Sequence, residues 1–477
     1  MSPGEHHQFI ACPAKNCSCD RGSNTELCAL SRVRTYGPCG GSPRPKAAQR
    51  DCPPSSVSWR GGKLAKRRRA QPCRARTREA LRVNSGHSGS ECTVRMLVTG
   101  GGTGGHTYPA LTAVRTAQAR LVSGHGAVQV VWVGTSDGLE ARVAGNEHIP
   151  FVPVVAGKVR RARNPLKMVS WANIKDMAKV PVGIVQSVRA VAAFKPDVVL
   201  ATGGYVSVPV SLAAWVCRRP LVVHEQTVRL GLANRLLARI ATVMAVSSAS
   251  TLPLLPGRAR GRAVVTGNPV RPEVFGGCAQ KAAPALGSPR FDASLPTVYV
   301  TGGAQGAAQI NGLVSEILPW MLERANVIHQ CGPGALDRMH EAVGTVPDER
   351  AARYLPVGFV GRELPDVFAL ADVVVSRSGA GTIAELTALG LPSVLVPLAS
   401  SAGGEQAHNA RVLAVAGAAS ALLDEASPAA LRDALEPLLA NPTKRAAMAE
   451  KALEQGRPDA ADRLVGILFD VAAAGRR

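Results

Sequence analysis

The sequence predicts an α/β chain with two Rossmann-like, doubly wound halves, preceded by an N-terminal extension of different composition. Three observations carry that prediction. Short apolar runs alternate with helical stretches from Met96 onward. The alternation starts afresh at Thr297, and each series opens on a strand, a glycine loop and a helix. Aromatic residues are only 4 % of the chain, so its strands are built mainly from Val, Ile and Leu, as suits parallel sheet buried on both faces.

In the first series the apolar runs place strands at 96–99, 128–133, 197–201, 221–224, 242–246 and 263–265, with helices over 108–122, 181–194 and 230–239. In the second they fall at 297–301, 326–330, 355–357, 372–376, 393–396 and about 419–422. The join lies near Gly267-Asn-Pro-Val-Arg-Pro272, whose prolines make a stiff connector. The apolar stretch 459–474 reads as a terminal helix with Asp459 near its start, free to pack back on the first half. The division expected is therefore an extension over 1–95, domains over 96–267 and 268–458, and a closing helix over 459–477.

Charge and cysteine set the extension apart. Of a net charge of +22, residues 1–95 hold 18 Lys+Arg against 6 acids. The excess on the rest is moderate and suits an anionic partner such as a diphosphate or an anionic membrane surface. Eight of the 11 cysteines lie in the extension, at irregular spacings that lack the pairs of a zinc module. It reads as a disordered leader, or as upstream sequence translated from a start set too early; its basic charge alone does not make a nucleic-acid partner expected. A chain starting at Met96 is expected to fold and act. Cys217, Cys278 and Cys331 in the remainder look like reduced thiols. No apolar run reaches transmembrane length, and the N-terminus has no signal-peptide core.

Three segments combine a strand end, glycines and a following helix: Gly100-Gly-Gly-Thr-Gly-Gly-His106, Thr202-Gly-Gly-Tyr205 and Gly302-Gly-Ala-Gln-Gly306. Glycines bring backbone N–H groups against phosphate oxygens, and the positive end of the helix adds attraction. One such loop is also explained by a tight turn, but three at strand ends across two halves predict a phosphate or diphosphate ligand. None is a Walker A loop or a clean dinucleotide fingerprint, and no Asp-x-Asp pair is present. No metal or cofactor is therefore expected; backbone amides and helix dipoles would hold the diphosphate. In Ser376-Arg-Ser-Gly-Ala-Gly-Thr-Ile-Ala-Glu385, the acid one turn into a helix could bind ribose hydroxyls or simply cap the helix.

Taken together with Gly203-Gly-Tyr-Val-Ser207, His224-Glu-Gln226, Gly231-Leu-Ala-Asn-Arg235 and Thr266-Gly-Asn-Pro-Val-Arg271, these segments resemble the ordered motif set of the MurG family of GT-B glycosyltransferases. The resemblance runs from about Met96 to the C-terminus. It implies an inverting N-acetylglucosaminyltransferase of peptidoglycan synthesis, peripheral to the cytoplasmic face of the membrane. The donor would be UDP-N-acetylglucosamine, bound mainly by the second half. The acceptor, undecaprenyl-diphospho-N-acetylmuramoyl-pentapeptide (lipid I), would dock on the first half and become lipid II. The substrate contacts implied are Thr103, Gly104, Gly105, Asn234, Arg271, Gln305, Val360 through its backbone, Ala380, Gly381, Thr382, Glu385 on the ribose, Gln406 and Asn409. Two positions depart from the family pattern. Thr227 stands where the family often has Asn, and Ala304 where it often has Ser, leaving Ala304 only a backbone contact.

An inverting transfer needs a base for the acceptor hydroxyl. His106, after the first glycine loop, and Glu225, at a strand end, are both candidates, and the sequence does not separate them. The alternatives are a helix-start histidine bonded to backbone and a structural carboxylate. Residues 157–189 carry eight Lys+Arg against Asp176, with Trp171 beside an apolar face if 165–178 is helical; that pattern suits docking on an anionic bilayer, or equally an amphipathic helix on the sheet. Rival functions are another GT-B glycolipid transferase, a UDP-N-acetylglucosamine 2-epimerase and a non-enzymatic sugar-nucleotide-binding regulator.

Overall fold

The computed structural model describes residues 93–123, 126–157, 171–287, 291–344, 346–401, 404–423 and 426–476. The extension over 1–92 and the basic stretch 158–170 lie outside these residues, as do the side chains of 171–178, Trp171 among them.

The first half is a parallel sheet of β1 (Thr93–Thr99), β2 (Ala127–Gly134), β3 (Phe151–Pro153), β4 (Val198–Ala201), β5 (Leu221–Glu225), β6 (Val243–Val246) and β7 (Ala263–Val265), in the order β3-β2-β1-β4-β5-β6-β7. The second is a parallel sheet of β8 (Thr297–Thr301), β9 (Asn326–Gln330), β10 (Tyr354–Val357), β11 (Val373–Ser376), β12 (Ser393–Leu395) and β13 (Ser420–Ala421), in the order β10-β9-β8-β11-β12-β13. Each sheet reverses its strand order once, between β1 and β4 and between β8 and β11. Ligands of open parallel sheets bind beyond the strand ends at such points. All the glycine loops and the Ser376 segment leave these four strands.

Both sheets are covered on both faces, and the central β1 is apolar throughout its middle, with Met96, Leu97 and Val98 fully buried. The helices that shape the site or close the core are α1 (Gly104–Ser123), α2 (Leu139–Asn146), α3 (Trp171–Phe194), α4 (Ser207–Val216), α5 (Leu232–Leu237), α6 (Ala308–Leu322), α7 (Ala380–Leu389), α8 (Glu405–Val415) and α9 (Ala460–Ala474). Helix α9 follows the second half in sequence but packs on α1 in the first, where Leu464, Val465 and Leu468 are fully buried among β1 and β4 residues. Each such side chain contributes about 1.5–3 kcal/mol. The chain thus crosses between the halves twice. The crossings touch at Gly267, where a Cβ would stand 2.8 Å from the Arg457 Cβ and 2.9 Å from that of Ala460.

Three elements differ from the sequence expectation. The edge strand β3 was not foreseen, because three residues ending in Pro153 give no periodic signal. Helix α1 starts at Gly104 rather than near 108, inside the glycine loop, since glycine's low helix propensity masks a start fixed by the Thr107-to-Thr103 backbone bond. Strand β1 starts at Thr93, so the extension ends earlier than residue 95. Val94 is buried, Asp197 Oδ2 accepts from the Arg95 N–H at 2.8 Å, and Arg476 reaches both Asp197 and the Thr93 carbonyl. A chain starting at Met96 is therefore expected to be less stable than one starting at Thr93, by about 2 kcal/mol for the lost valine burial. Urea unfolding of the two compares them directly; coincident midpoints would show that residues 93–95 hold nothing.

Candidate active site

The first and second glycine loops meet backbone to backbone. Gly204 has φ +84°, and a Cβ there would lie 2.3 Å from the Gly101 carbonyl oxygen. This approach lets Thr202 grip His106 twice: its hydroxyl donates to the His106 carbonyl at 2.8 Å, and its carbonyl accepts from His106 Nδ1 at 2.9 Å. Gln226 Oε1 lies 2.9 Å from the same nitrogen. Because α1 starts at Gly104, His106 stands in its first turn, half-buried.

The brace of the first loop comes from a residue that the motifs do not include. Glu140 in α2 is fully buried and accepts from the Gly102 N–H at 3.1 Å, the Thr135 N–H at 3.1 Å and the Thr135 hydroxyl at 2.7 Å. A carboxyl group at such depth is tolerable only when it is hydrogen-bonded in this way. It lies beyond β2 in sequence, with no local pattern to mark it. No acidic residue stands in the first turn of α1, α6 or α7, so the positive ends of these helices are not neutralised from within.

Glu225, the second base candidate, is buried at the end of β5. Its Oε1 accepts from the Thr227 N–H (3.1 Å) and hydroxyl (2.8 Å), and its Oε2 from the Gly231 N–H (3.0 Å) and Asn234 Nδ2 (3.1 Å). The carboxylate thereby folds the 227–231 loop against α5. Thr227 spends its hydroxyl inside that loop, near both Glu225 and the Arg229 carbonyl. Asn234 Nδ2 also reaches the His224 carbonyl, while its Oδ1 is buried without a partner among the described residues.

In the second half, Glu385 Oε1 accepts from Arg271 Nε at 2.7 Å and lies 2.7 Å from its Nη2, an ion pair that joins the connector to α7. Burial pushes the Glu385 carboxyl up, and the Arg271 charge opposes it. Gln330, which sequence reasoning passed over, ends β9 and links three parts: it donates to the Gly303 carbonyl (2.9 Å) and accepts from the Val360 N–H (3.2 Å) and the Tyr299 hydroxyl (2.9 Å). Ala304 and Gln305 are exposed in the third glycine loop; Thr103 and Gly105 in the first, and Gly381 in α7, are exposed as well, with Gly104, Ala380 and Thr382 partly covered. Gln406 Oε1 accepts from the Leu398 N–H at 2.9 Å, and Asn409 Nδ2 donates to the Ser378 carbonyl at 3.0 Å. Arg377 is turned to Gln309 and the Val396 and Pro397 carbonyls. His329 packs between Tyr354 and Asn311, where burial pushes it down to about 4. A cavity of about 160 Å³ opens between the halves, lined by Gln226, Ser247 and Asn268 on one side and Ala380, Asn409 and Thr387 on the other.

Two parallel α/β halves with glycine loops at both strand-order reversals define a GT-B architecture. Residues 96–246 match the N-terminal domain of glycosyltransferase family 28, and residues 297–464 its C-terminal domain. Over 388 residues the chain is 35 % identical to the UDP-N-acetylglucosamine–N-acetylmuramyl-(pentapeptide) pyrophosphoryl-undecaprenol N-acetylglucosamine transferase of Desulforudis audaxviator, covering 80 % of this chain and 100 % of the relative. It is 38 % identical to the protein of that name from Salinibacter ruber, covering 77 % and 94 %. The solved structure of MurG from Acinetobacter baumannii aligns with a TM-score of 0.59 at 25 % identity, over 79 % of this chain and 99 % of that one. The chain belongs to the MurG family of N-acetylglucosaminyltransferases. The UDP-GlcNAc 2-epimerase of Neisseria meningitidis, at 15 % identity and a TM-score of 0.55, shares the fold alone.

Removing the Glu140 carboxylate strands the two buried donors of Thr135 and releases the N–H of the exposed Gly102. Glu140→Ala is expected to cost about 2 kcal/mol or more in denaturant unfolding, since each unsatisfied buried group costs about 1–3 kcal/mol. A loss below about 1 kcal/mol would mean that the loop does not lean on this residue.

Proposed function

We propose that the chain moves N-acetylglucosamine from UDP-N-acetylglucosamine to the muramoyl sugar of lipid I, forming lipid II with inversion at the anomeric carbon. The observation that carries this reading is the cavity between the halves, lined on one wall by Gln226, which bonds His106, and on the other by Ala380 and Ala384 of the helix that carries Glu385. The acceptor hydroxyl gives its proton to His106 Nε2 as its oxygen bonds the anomeric carbon. The bond from that carbon to the diphosphate breaks on the opposite side, and UDP leaves with the electron pair. Loop amides at Thr103, Gly104 and Gly105, at Ala304 and Gln305, and at Ala380, Gly381 and Thr382 receive the growing phosphate charge. Glu385 binds the ribose hydroxyls, Val360 meets the base through its carbonyl because its N–H is taken by Gln330, and Gln406 and Asn409 face the sugar.

His106 rather than Glu225 is the base in this reading. Three N–H donors, from Thr227, Gly231 and Asn234, already occupy the Glu225 carboxylate, and the Thr227 hydroxyl, shared with the Arg229 carbonyl, stands 2.8 Å from Oε1, which crowds out an acceptor hydroxyl. Glu225, Thr227 and Asn234 shape the acceptor wall instead.

The acceptor's lipid calls for docking on the cytoplasmic face of the membrane. No described helix is long and apolar enough to cross a bilayer. On the first half, α3 and α4 pack side by side and expose Val182, Val185, Trp215 and Val216 beside the exposed Arg189 and Arg218. An apolar patch with Trp and a basic rim suits an anionic lipid surface. Trp215 lies outside the basic stretch that the sequence singled out.

Transfer of labelled N-acetylglucosamine to a short-chain lipid I analogue tests the function; release or epimerisation of the donor with no labelled lipid would overturn it. In the same assay His106→Ala is expected to lower kcat by about a hundred-fold or more, with UDP still bound. Glu385→Ala should raise donor KM by about ten- to a hundred-fold with a smaller change in kcat, from the loss of about 1.5–3 kcal/mol of charge-assisted hydrogen bonding. Parental kcat in His106→Ala, with kcat lost in Glu225→Gln, moves the base to Glu225. For the membrane, Trp215→Ser combined with Val182→Ser should weaken binding to anionic vesicles and leave UDP affinity unchanged; equal vesicle binding removes the docking patch.

A further inference from the structure

A directed chain of hydrogen bonds stands behind His106. The Thr202 carbonyl can only accept, so His106 Nδ1 carries hydrogen and the neutral ring keeps its lone pair on Nε2. The Gln226 amide sits in one orientation only. Its nitrogen lies 3.2 Å from the His224 carbonyl, another pure acceptor, and 3.0 Å from His224 Nδ1, which turns Oε1 toward His106. His224 Nδ1 is thereby an acceptor, and its hydrogen sits on Nε2, 3.0 Å from the Gly267 carbonyl. Every donor in the series faces an acceptor, and the far end is the connector between the two halves. His224 is fully buried, and that burial pushes its imidazole down to about 4, so the ring is neutral where the reaction runs.

We propose that His224 and Gln226 are positioning residues that fix the tautomer and aim of His106 from the connector, an inference that rests on His106 being the base. A neutral amide suits this task. It holds Nδ1–H in place without adding charge, whereas a carboxylate at 226 would favour the imidazolium and withdraw the free base. The titratable groups around His106 are His224 behind it, Glu405 at the start of α8 in the other half, and Glu225, which faces Glu405 in turn. None of them hydrogen-bonds His106 Nδ1 among the described residues; Thr202 and Gln226 do.

Three measurements test the proposal. In ¹⁵N spectra of the whole protein, with His106 assigned by comparison with His106→Gln, the neutral imidazole should show hydrogen on Nδ1 and a bare Nε2. The opposite tautomer overturns the relay without any variant having to fold. Gln226→Glu should move the acid limb of the kcat/KM profile up by about 1–3 pH units, as a new opposite charge does. His224→Phe frees the Gln226 amide to turn, and should lower kcat by about ten-fold or more while UDP affinity stays within two-fold. An unmoved acid limb in Gln226→Glu together with parental kcat in His224→Phe would also sink the relay. If those results accompany an inactive His106→Ala, His106 remains the base and only the relay fails. Parental kcat in His106→Ala removes both.

Discussion

Everything at this site depends on two backbones coming closer than side chains permit. The loop after β1 and the loop after β4 touch at Gly101 and Gly204: a Cβ on Gly204 would strike the Gly101 carbonyl, and one on Gly101 the Glu140 carboxylate behind it. From that contact follow the Thr202 bonds to His106, the reach of Gln226 and the exposure of the α1 amides. The cost is borne locally: glycines are the residues that lose most freedom on folding. Glu140 offsets part of it by tying Gly102 to Thr135, a hard tether in place of a packed side chain. The second half repeats the device, with Gly306 pressed on the Cys331 carbonyl.

The halves themselves are joined more by chain than by charge. Arg115 of α1 spans Glu147 in its own half and Glu273 in the other, but all three groups are open to solvent. Pairs of this kind contribute about 0–1 kcal/mol each. The Arg271–Glu385 pair is more enclosed, and its carboxylate is costly to bury without the guanidinium. What keeps the halves together is therefore the pair of crossings at Gly267 and the burial of α9.

Much of this was legible because it is local. Apolar runs gave twelve of the thirteen strands among the described residues, and the glycines at strand ends gave the loops. The motif set carried the family. The unread parts are those whose meaning lies in a distant partner. Glu140 looks like any acid in a surface helix until Gly102 is placed above it. Gln330 reads as a strand end until Val360 and Gly303 converge on it. Glu225 could be read as a base or as a brace, and its four hydrogen bonds come from residues whose loop conformation no periodicity encodes. The start of β1 was missed for the same reason: Asp197 and Arg476, not the local sequence, hold Thr93–Arg95 in the sheet.

The route of α9 has a consequence for the order in which the protein can be made. The core beneath α1 is completed by Leu464, Val465, Leu468 and Ala472. These residues leave the ribosome only after the whole second sheet has been synthesised. The first half, although it is translated first, must therefore wait with an apolar face uncovered while a second, topologically separate sheet is produced. Domains commonly fold one after another as they emerge. Here the usual sequence is inverted at its last step: the earlier half is finished by a helix that follows the later one.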